Sequence, residues 1–318
     1  MTKLASNSAT ITLIVNPAAG RGAALRAGKK AHAYLNAAGA NAEIVYTAAK
    51  GDARVLANDA IERGSGIVAA VGGDGTLHEV ANALLAGCAS TVTLGLIPAG
   101  TGNDVARGLG LYGNIERACQ NLLTGARTSI DVGRVRGDGV DGSCCFLGAA
   151  GLGFVADAAR TVNDGVRLLS GRAAYLAGTI LTLARMKPFE MGLKIDGQDL
   201  AISSGTLVSI SNVETTGGGL KIAPGASPSD GLFDICFLGP VGRLEFLTQF
   251  PRVISGTHTG HPAVVMMRGQ TVEVQTAKPK PLWIDGEING QTPVVFEMMR
   301  GTLPMMLPEV RSLCETNR

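Results

Sequence analysis

The chain is poor in aromatic residues and nearly neutral. Phe, Trp and Tyr together make up 4% of its 318 residues, and its formal net charge is +2. Proteins that bind nucleic acid usually offer a basic surface and aromatic rings on which bases stack. The composition therefore argues against nucleic acid as a partner.

Residues that bind metals through sulfur or imidazole are scarce. The chain has four histidines, and none of its six cysteines forms a Cys-x-x-Cys pair. This spacing argues against a zinc site. It also favours a reducing compartment such as the cytoplasm over a disulfide-forming one.

Long apolar runs are absent as well. Residues 1–9 are polar and lack the apolar core of a signal peptide. The longest apolar candidate, residues 173–184, lies between Arg172 and Arg185 and is shorter than the roughly 20 residues that span a bilayer. We expect a cytoplasmic protein whose contact with the inner membrane face, if it has one, is peripheral.

What the chain does have is a strand-and-helix alternation over its first half. Strand patterns occupy residues 10–15, 42–46, 67–71 and 93–97, and helix patterns occupy residues 23–38, 52–63, 77–85, 104–109 and 115–123. Such alternation predicts a doubly wound, mainly parallel sheet with helices on both faces. The length and the 46% hydrophobic content suggest two domains.

The pattern changes after residue 128 to short strands separated by turn residues. The strand-like runs are residues 130–135, 144–147, 191–195, 205–211, 233–238, 271–275, 282–284 and 294–298. They predict a C-terminal antiparallel β-sandwich, with a helical insertion at about 154–186. We therefore expect an α/β domain at 1–128 and a β domain at 129–300, with a tail, 301–318, that packs back on the first.

Two glycine-rich segments follow the third and fourth predicted strands, at residues 72–76 and 100–104. Parallel sheets bind ligands at the carboxyl ends of their strands. Glycine there lets backbone N–H groups approach a phosphate. Asp74 is a natural partner for the Mg²⁺ that accompanies a nucleoside triphosphate. The paired loops predict a nucleotide site and phosphoryl transfer.

Neither loop is a Walker motif, because the spacing differs and no lysine follows. Backbone dipoles, metal and other side chains must then neutralise the phosphates. Thr76 and Thr101 offer hydroxyls to phosphate or ribose. Asp104 fits either catalytic support or a helix cap. The alternative for the first loop is a tight turn that caps a helix.

The segment after the first strand, residues 16–22, starts with Asn16 and Pro17. It fits a phosphate or adenine contact, or an ordinary turn. Together, the segments 16–20, 72–76 and 100–104 resemble the catalytic domain of the diacylglycerol kinase family, which includes sphingosine and ceramide kinases. Further similarity lies at residues 131–133, 151–154, 217–224, 230–234 and 283–287. Order and size are similar to the compact bacterial lipid kinases of the YegS type.

The resemblance implies a fold like that of NAD kinases and phosphofructokinases for residues 1–128, which would bind ATP, and a lipid-substrate domain for residues 129–300. It implies an ATP-dependent kinase that converts a lipid such as diacylglycerol to phosphatidic acid. Glu287 would be the general base, whereas the residues alone suggest a polar hairpin turn there. The implied ATP contacts are Asn16, Pro17, Gly20, Thr47, Gly73, Asp74, Gly75, Thr76, Leu77, His78, Glu79, Thr101, Asn103 and Asp104.

The resemblance also implies a structural Mg²⁺ held by the carboxylate of Asp230 and the carbonyls of Ser227 and Leu232. The alternative is an Asp-Gly turn without metal. Two positions depart from the family pattern: His78 stands where the family usually has Asn, and Ala19 replaces a hydroxyl residue. A homodimer is also compatible with the resemblance.

The segment 168–186 has an apolar helical face with basic residues around it. It suggests either a surface that docks on anionic lipid or a helix packed on its own domain. Alternative functions are a kinase for sphingoid bases, ceramide or another hydroxyl compound, and a regulator that binds nucleotide or lipid without catalysis.

Overall fold

The computed structural model describes residues 10–87, 91–111, 113–140, 144–165, 181–183 and 186–309. The helices are α1 (Ala23–Ala37), α2 (Asp52–Glu62), α3 (Asp74–Ala86), α4 (Asp104–Gly108), α5 (Ile115–Thr124), α6 (Phe154–Gly165) and α7 (Arg243–Ser255). The first strands are β1 (Ile11–Val15), β2 (Ala42–Tyr46), β3 (Ile67–Gly72), β4 (Thr93–Pro98), β5 (Ala126–Gly137), β6 (Cys144–Phe146), β7 (Ala149–Gly153) and β8 (Phe189–Ile195). The remaining strands are β9 (Gln198–Asp199), β10 (Ser204–Gly205), β11 (Leu207–Ser211), β12 (Phe233–Leu238), β13 (Val264–Gly269), β14 (Thr271–Thr276), β15 (Pro281–Ile284), β16 (Glu287–Gln291) and β17 (Val294–Leu307).

The first half is the parallel α/β unit that the alternation predicts. Strands β2, β1, β3 and β4 lie side by side, all parallel. In register, Val15 pairs with Val71, and Val71 pairs with Ile97. Because β3 and β4 end level, the two glycine-rich segments that follow them meet at one edge of the sheet.

The long strand β17 joins the two halves of the chain. It pairs antiparallel with β5 along most of its length, and Met305 pairs with Leu94 of β4 in parallel. The result is an eleven-stranded sheet whose main path runs β10-β8-β14-β17-β4-β3-β1-β2. The parallel strands and half of the sandwich therefore belong to one sheet.

A second sheet completes the sandwich. Six antiparallel strands run in the order β13-β12-β11-β7-β15-β16. Its inner face packs against the first sheet around Phe146, which stacks on Phe233 with ring centroids 5.6 Å apart and meets Phe296 edge-on at 6.3 Å. The predicted fold class, an α/β sheet followed by an antiparallel sandwich, is confirmed.

Helices α6 and α7 cover the outer face of the second sheet, where Phe154 of α6 and Phe246 of α7 lie 4.5 Å apart by ring centroid. Helix α6 begins the predicted insertion, but residues 166–180, most of the predicted amphipathic segment, lie outside the described residues. No helix in the described ranges is long and apolar enough to cross a bilayer.

Candidate active site

The two glycine-rich segments touch each other through their backbones. A Cβ on Gly100 would lie 2.2 Å from the Cα of Gly73, and one on Gly20 would lie 2.2 Å from the carbonyl oxygen of Ala99. No side chain fits in either space. Glycine is therefore required at Gly20 and Gly100 for the three predicted phosphate segments to come together.

Two asparagines hold these segments in shape. Asn103 adopts left-handed backbone geometry, and its side chain both accepts from the N–H of Gly100 at 3.0 Å and donates to the Gly100 carbonyl at 2.9 Å. Asn16 donates to the hydroxyl of the buried Thr76 at 3.2 Å. Both asparagines and Thr76 thus make contacts within the loops.

Two carboxylates lie at the starts of helices α3 and α4. Asp74 accepts from the backbone N–H groups of Asp104, at 3.2 Å, and Val105, at 3.1 Å. Burial and the neighbouring charge of Asp104 raise the pKa of Asp74 to about 6. Asp104 is also buried, and its Oδ1 has no hydrogen-bond partner among the described residues.

A run of three glycines from the second half closes over Asp104. Gly217, Gly218 and Gly219 all have positive φ, between 62° and 101°, a conformation that residues with a Cβ rarely adopt. The N–H of Gly218 donates to Oδ2 of Asp104 at 2.7 Å. Asp104 therefore bonds across the two halves rather than capping its own helix.

The turn that carries Glu287 is held to the first half by charged pairs. The buried carboxylate of Asp285 accepts from the N–H groups of Leu147, Gly148 and Ala149 at 2.9–3.1 Å and lies 3.1 Å from Nδ1 of His78. Burial lowers the pKa of His78, but the bond to Asp285, with a smaller contribution from Cys144, raises it to about 10.

Glu287 itself is paired across the cleft. Its Oε2 lies 2.9 Å from Nζ of Lys50, which comes from the loop between β2 and α2. The side chain of Lys50 is largely exposed to solvent, and that of Glu287 is half-buried. The glycine-rich segments contain no lysine, and Lys50 places one beside Glu287 from a different loop.

Glu79 explains how that lysine is placed. Its carboxylate accepts from the N–H groups of Gly51, at 3.0 Å, and Ala53, at 3.1 Å. Thr47, at the start of the same loop, is buried, and its N–H donates to the carbonyl of Val15. Glu79 and Thr47 therefore hold the loop that carries Lys50 in place. Leu77, another predicted ATP contact, has its side chain in the hydrophobic core.

A polar cleft of about 260 Å³ collects the other candidates. Six of the predicted site residues line it: Gly73, Asp74, Gly75, Thr101, Asp104 and Glu287. Asn16, Pro17, Gly20, Thr47, Thr76, Leu77, His78, Glu79 and Asn103 are not among its lining residues. Thr215 and Thr216 also line the cleft and no sequence motif pointed to them, whereas Trp283 and Asp285 line it and belong to the motif at 283–287 but had been given no role of their own.

An apolar cavity of about 110 Å³ adjoins this cleft. It lies between the outer face of the second sheet and helices α6 and α7. Thr216, Gly217 and Trp283 line both spaces, so the cavity and the cleft lie directly beside each other. The arrangement offers polar groups for a phosphate donor beside an apolar space for a hydrocarbon chain.

In the predicted magnesium loop, the aspartate is already paired with an arginine. Asp230 forms an ion pair with Arg268, and its Oδ1 accepts from the N–H of Leu232 at 3.1 Å. The buried Asp131 holds the loop by accepting from Gly231 at 2.7 Å. A metal ion bound by Asp230 would compete with Arg268 for the carboxylate, and the ligand role of Ser227, Asp230 and Leu232 stays a prediction.

Comparison with known families agrees with this geometry. A family described as "Diacylglycerol kinase catalytic domain" matches residues 10–135, and one described as "YegS C-terminal NAD kinase beta sandwich-like domain" matches residues 148–307. The chain belongs to the diacylglycerol kinase family. The family resemblance predicted from the glycine-rich segments is confirmed, and the protein is a lipid kinase.

Curated relatives match over nearly the whole chain. A diacylglycerol kinase of Mycobacterium tuberculosis is 32% identical over 303 residues, which cover 94% of this chain and 95% of the relative. A diacylglycerol kinase of Bacillus subtilis is 29% identical over 301 residues, covering 94% and 97%. Because the chain belongs to a family of kinases, the comparison supports ATP as the phosphoryl donor.

The fold is also that of a solved structure. The crystal structure of a diacylglycerol kinase from Bacillus anthracis superposes with a TM-score of 0.72 at 23% identity, covering 96% of this chain and 98% of the other. At this identity the comparison supports the fold alone, and the arrangement of both sheets agrees with it.

Proposed function

We propose that the protein transfers the γ-phosphate of ATP to the free hydroxyl of diacylglycerol and forms phosphatidic acid. The observation that supports this acceptor is the apolar cavity that adjoins the polar cleft at Thr216, Gly217 and Trp283. A lipid with acyl chains needs such a space beside its reacting hydroxyl. The names of the relatives point to the same substrate.

In this proposal, residues 1–128 bind ATP over the glycine-rich segments and residues 129–300 supply the lipid side. The carboxylate of Glu287 takes the proton of the lipid hydroxyl. The hydroxyl oxygen then bonds to the γ-phosphorus as the bond from that phosphorus to the bridging oxygen of the β-phosphate breaks, and ADP leaves. Lys50, 2.9 Å from Glu287, lies where it can offset charge on the transferred group.

Asp74 and Asp104 are the residues that fit a Mg²⁺ ion. They place two carboxylates at one end of the cleft, and Oδ1 of Asp104 is buried without a partner among the described residues. Within the described ranges, no group of three His, Cys, Asp or Glu side chains forms a metal site, so oxygen atoms of the nucleotide and water would complete the coordination. A bound Mg²⁺ would offset phosphate charge.

The test is phosphorylation of a lipid panel with labelled ATP by the wild type and by Glu287→Gln. The panel contains diacylglycerol, sphingosine, ceramide and glycerol. We expect label in phosphatidic acid, and a loss of kcat of about 100-fold or more for Glu287→Gln with ATP binding retained. Glu116→Gln, a change at an exposed ion pair with Lys30, is the matched control and should leave kcat unchanged.

Two results contradict the proposal separately. Near wild-type kcat for Glu287→Gln excludes that residue as the base. Label in sphingosine or ceramide, but not in diacylglycerol, changes the acceptor while leaving the kinase chemistry intact.

A further inference from the structure

Helix α7 exposes apolar side chains along one face. Leu244 is 75% exposed, Leu247 44% and Ile254 41%, and Pro251 between them is also exposed. Their spacing of three and four residues places them in one line along the helix, the α7 stripe. A surface helix normally turns polar residues to water, and an exposed apolar patch marks a contact site.

The opposite face of the same helix belongs to the apolar cavity. Phe246, Gln249, Phe250 and Val253 line that cavity. Since the cavity adjoins the cleft that contains Glu287, α7 separates the surface under the stripe from the cavity beside the proposed base. Whatever covers the stripe therefore lies one helix diameter from the proposed acyl site.

The charges of α7 suit an anionic surface. Arg243 and Arg252 are exposed, and neither forms an ion pair within the described part of the chain. The acidic residue of the helix, Glu245, lies 3.3 Å from His261 and so faces a histidine rather than either arginine. Apolar side chains flanked by free arginines are typical of helices that lie in the interface of an anionic bilayer.

We infer that α7 is the surface through which this protein docks on an anionic lipid bilayer. The α7 stripe enters the acyl region, and Arg243 and Arg252 contact lipid phosphates. The inference rests on the proposed function, because a kinase for diacylglycerol must take its substrate from a bilayer. It gives the lipid a route past α7 into the apolar cavity.

The first test measures co-sedimentation with vesicles of phosphatidylglycerol and phosphatidylcholine in equal parts. The variant Leu244→Glu/Leu247→Glu should bind about 100-fold more weakly than the wild type, because two leucines no longer leave water. Val55→Glu, at an exposed apolar position of α2, is the matched control and should bind like the wild type.

A second variant separates charge from apolar contact. Arg243→Glu/Arg252→Glu should lose affinity for the same vesicles, by about fivefold or more for each arginine. On vesicles of phosphatidylcholine alone it should bind as the wild type does. Wild-type binding by both double variants overturns the inference, and so does a wild type that binds no vesicles.

Turnover distinguishes a failure of this inference from a failure of the proposed function. Dispersed dioctanoylglycerol should be phosphorylated equally by the wild type and by Leu244→Glu/Leu247→Glu, whereas long-chain diacylglycerol in vesicles should be phosphorylated only by the wild type. If neither the wild type nor the variant phosphorylates any diacylglycerol, the proposed function fails. The vesicle-binding result still decides whether α7 is the docking surface.

Analytical ultracentrifugation without lipid tests whether a second copy of the chain, rather than a bilayer, covers the α7 stripe. A wild type that is dimeric and a Leu244→Glu/Leu247→Glu variant that is monomeric would show that a second copy of the chain covers the α7 stripe. That outcome overturns the bilayer inference. A wild type and a variant with the same oligomeric state, together with the loss of vesicle binding, support it.

Discussion

The histidine that departs from the family pattern forms a buried charged pair. Asparagine, which the family resemblance implies at position 78, could donate a hydrogen bond to Asp285 but carries no charge. The imidazolium of His78 donates and also balances the carboxylate of Asp285, which the N–H groups of Leu147, Gly148 and Ala149 already surround. The pair therefore joins the two halves at the turn that precedes Glu287.

This pair makes stability depend on pH. The pKa of His78 is raised from its ordinary 6.5 to about 10 in the folded protein. Its stabilising contribution is thus complete below pH 6.5 and is lost as the pH rises through about 10. We expect the difference in unfolding free energy between the wild type and His78→Asn, measured with urea, to shrink between pH 6 and pH 10. An equal difference at both ends contradicts the charged pair.

Lys50 should matter for catalysis far more than for folding. Its ion pair with Glu287 is exposed, so Lys50→Gln should change the unfolding free energy by less than about 1 kcal/mol. Because the glycine-rich segments contain no lysine, kcat should fall about 10- to 100-fold in Lys50→Gln, with partial rescue in Lys50→Arg.

The exposed ion pair between Lys30 and Glu116 supplies the control for this prediction. Lys30→Gln breaks a pair of similar exposure away from the cleft and should leave both kcat and stability near wild type. If Lys50→Gln behaves as Lys30→Gln does, Lys50 has no part in phosphoryl transfer.

At the scale of elements, the glycine-rich segments were predictable and their partners were not. Apolar runs followed by glycine predict strand-to-helix turns at residues 72–76 and 100–104, and the structure has both. The contacts of Asp104 with Gly218 and of Glu287 with Lys50 join residues far apart in the chain, which no local pattern encodes.

Helix α7 shows why other elements were missed. Pro251 lies inside it, and proline normally interrupts a helix, so the segment was not predicted as one. Strands β7 and β13 were also not predicted. The glycines of β7 are typical of turns, but here they lie between neighbouring strands where side chains would not fit.

The contact between the two glycine-rich segments gives a prediction for stability. In Gly100→Ala the new Cβ would lie 2.2 Å from a backbone atom of Gly73, so the segments must separate. We expect a loss of about 1–3 kcal/mol in unfolding free energy and weaker ATP binding. Gly192→Ala is the control, since a Cβ there meets nothing within 4 Å. Equal stability of the two variants would exclude the close contact.

At the scale of the molecule, the two halves share one sheet through β17. Phe296 of that strand packs in the sandwich core, whereas Leu303 and Met305 pack in the core of the parallel half. The two predicted domains therefore each depend on residues near the end of the chain. The strand pattern predicts residues 294–298 alone, so the single long strand was not foreseen, although we expected a tail, 301–318, that packs back on the first domain.

Truncation tests that dependence. A chain that ends at Pro293 lacks β17 and should lose cooperative thermal unfolding, because both cores lose buried side chains. A chain that ends at Glu309 keeps the whole strand and should unfold as the full chain does. Circular dichroism against temperature measures both, and a folded chain ending at Pro293 would show that β17 is dispensable.

The boundary formed by Thr216, Gly217 and Trp283 has a consequence for inhibition. It is the boundary that the polar cleft and the apolar cavity have in common. If ATP binds in the cleft and the lipid in the cavity, as we propose, a small rigid compound bound at this boundary would exclude both. Its inhibition would be competitive towards both substrates at once, a kinetic pattern that a compound confined to either space alone would not give.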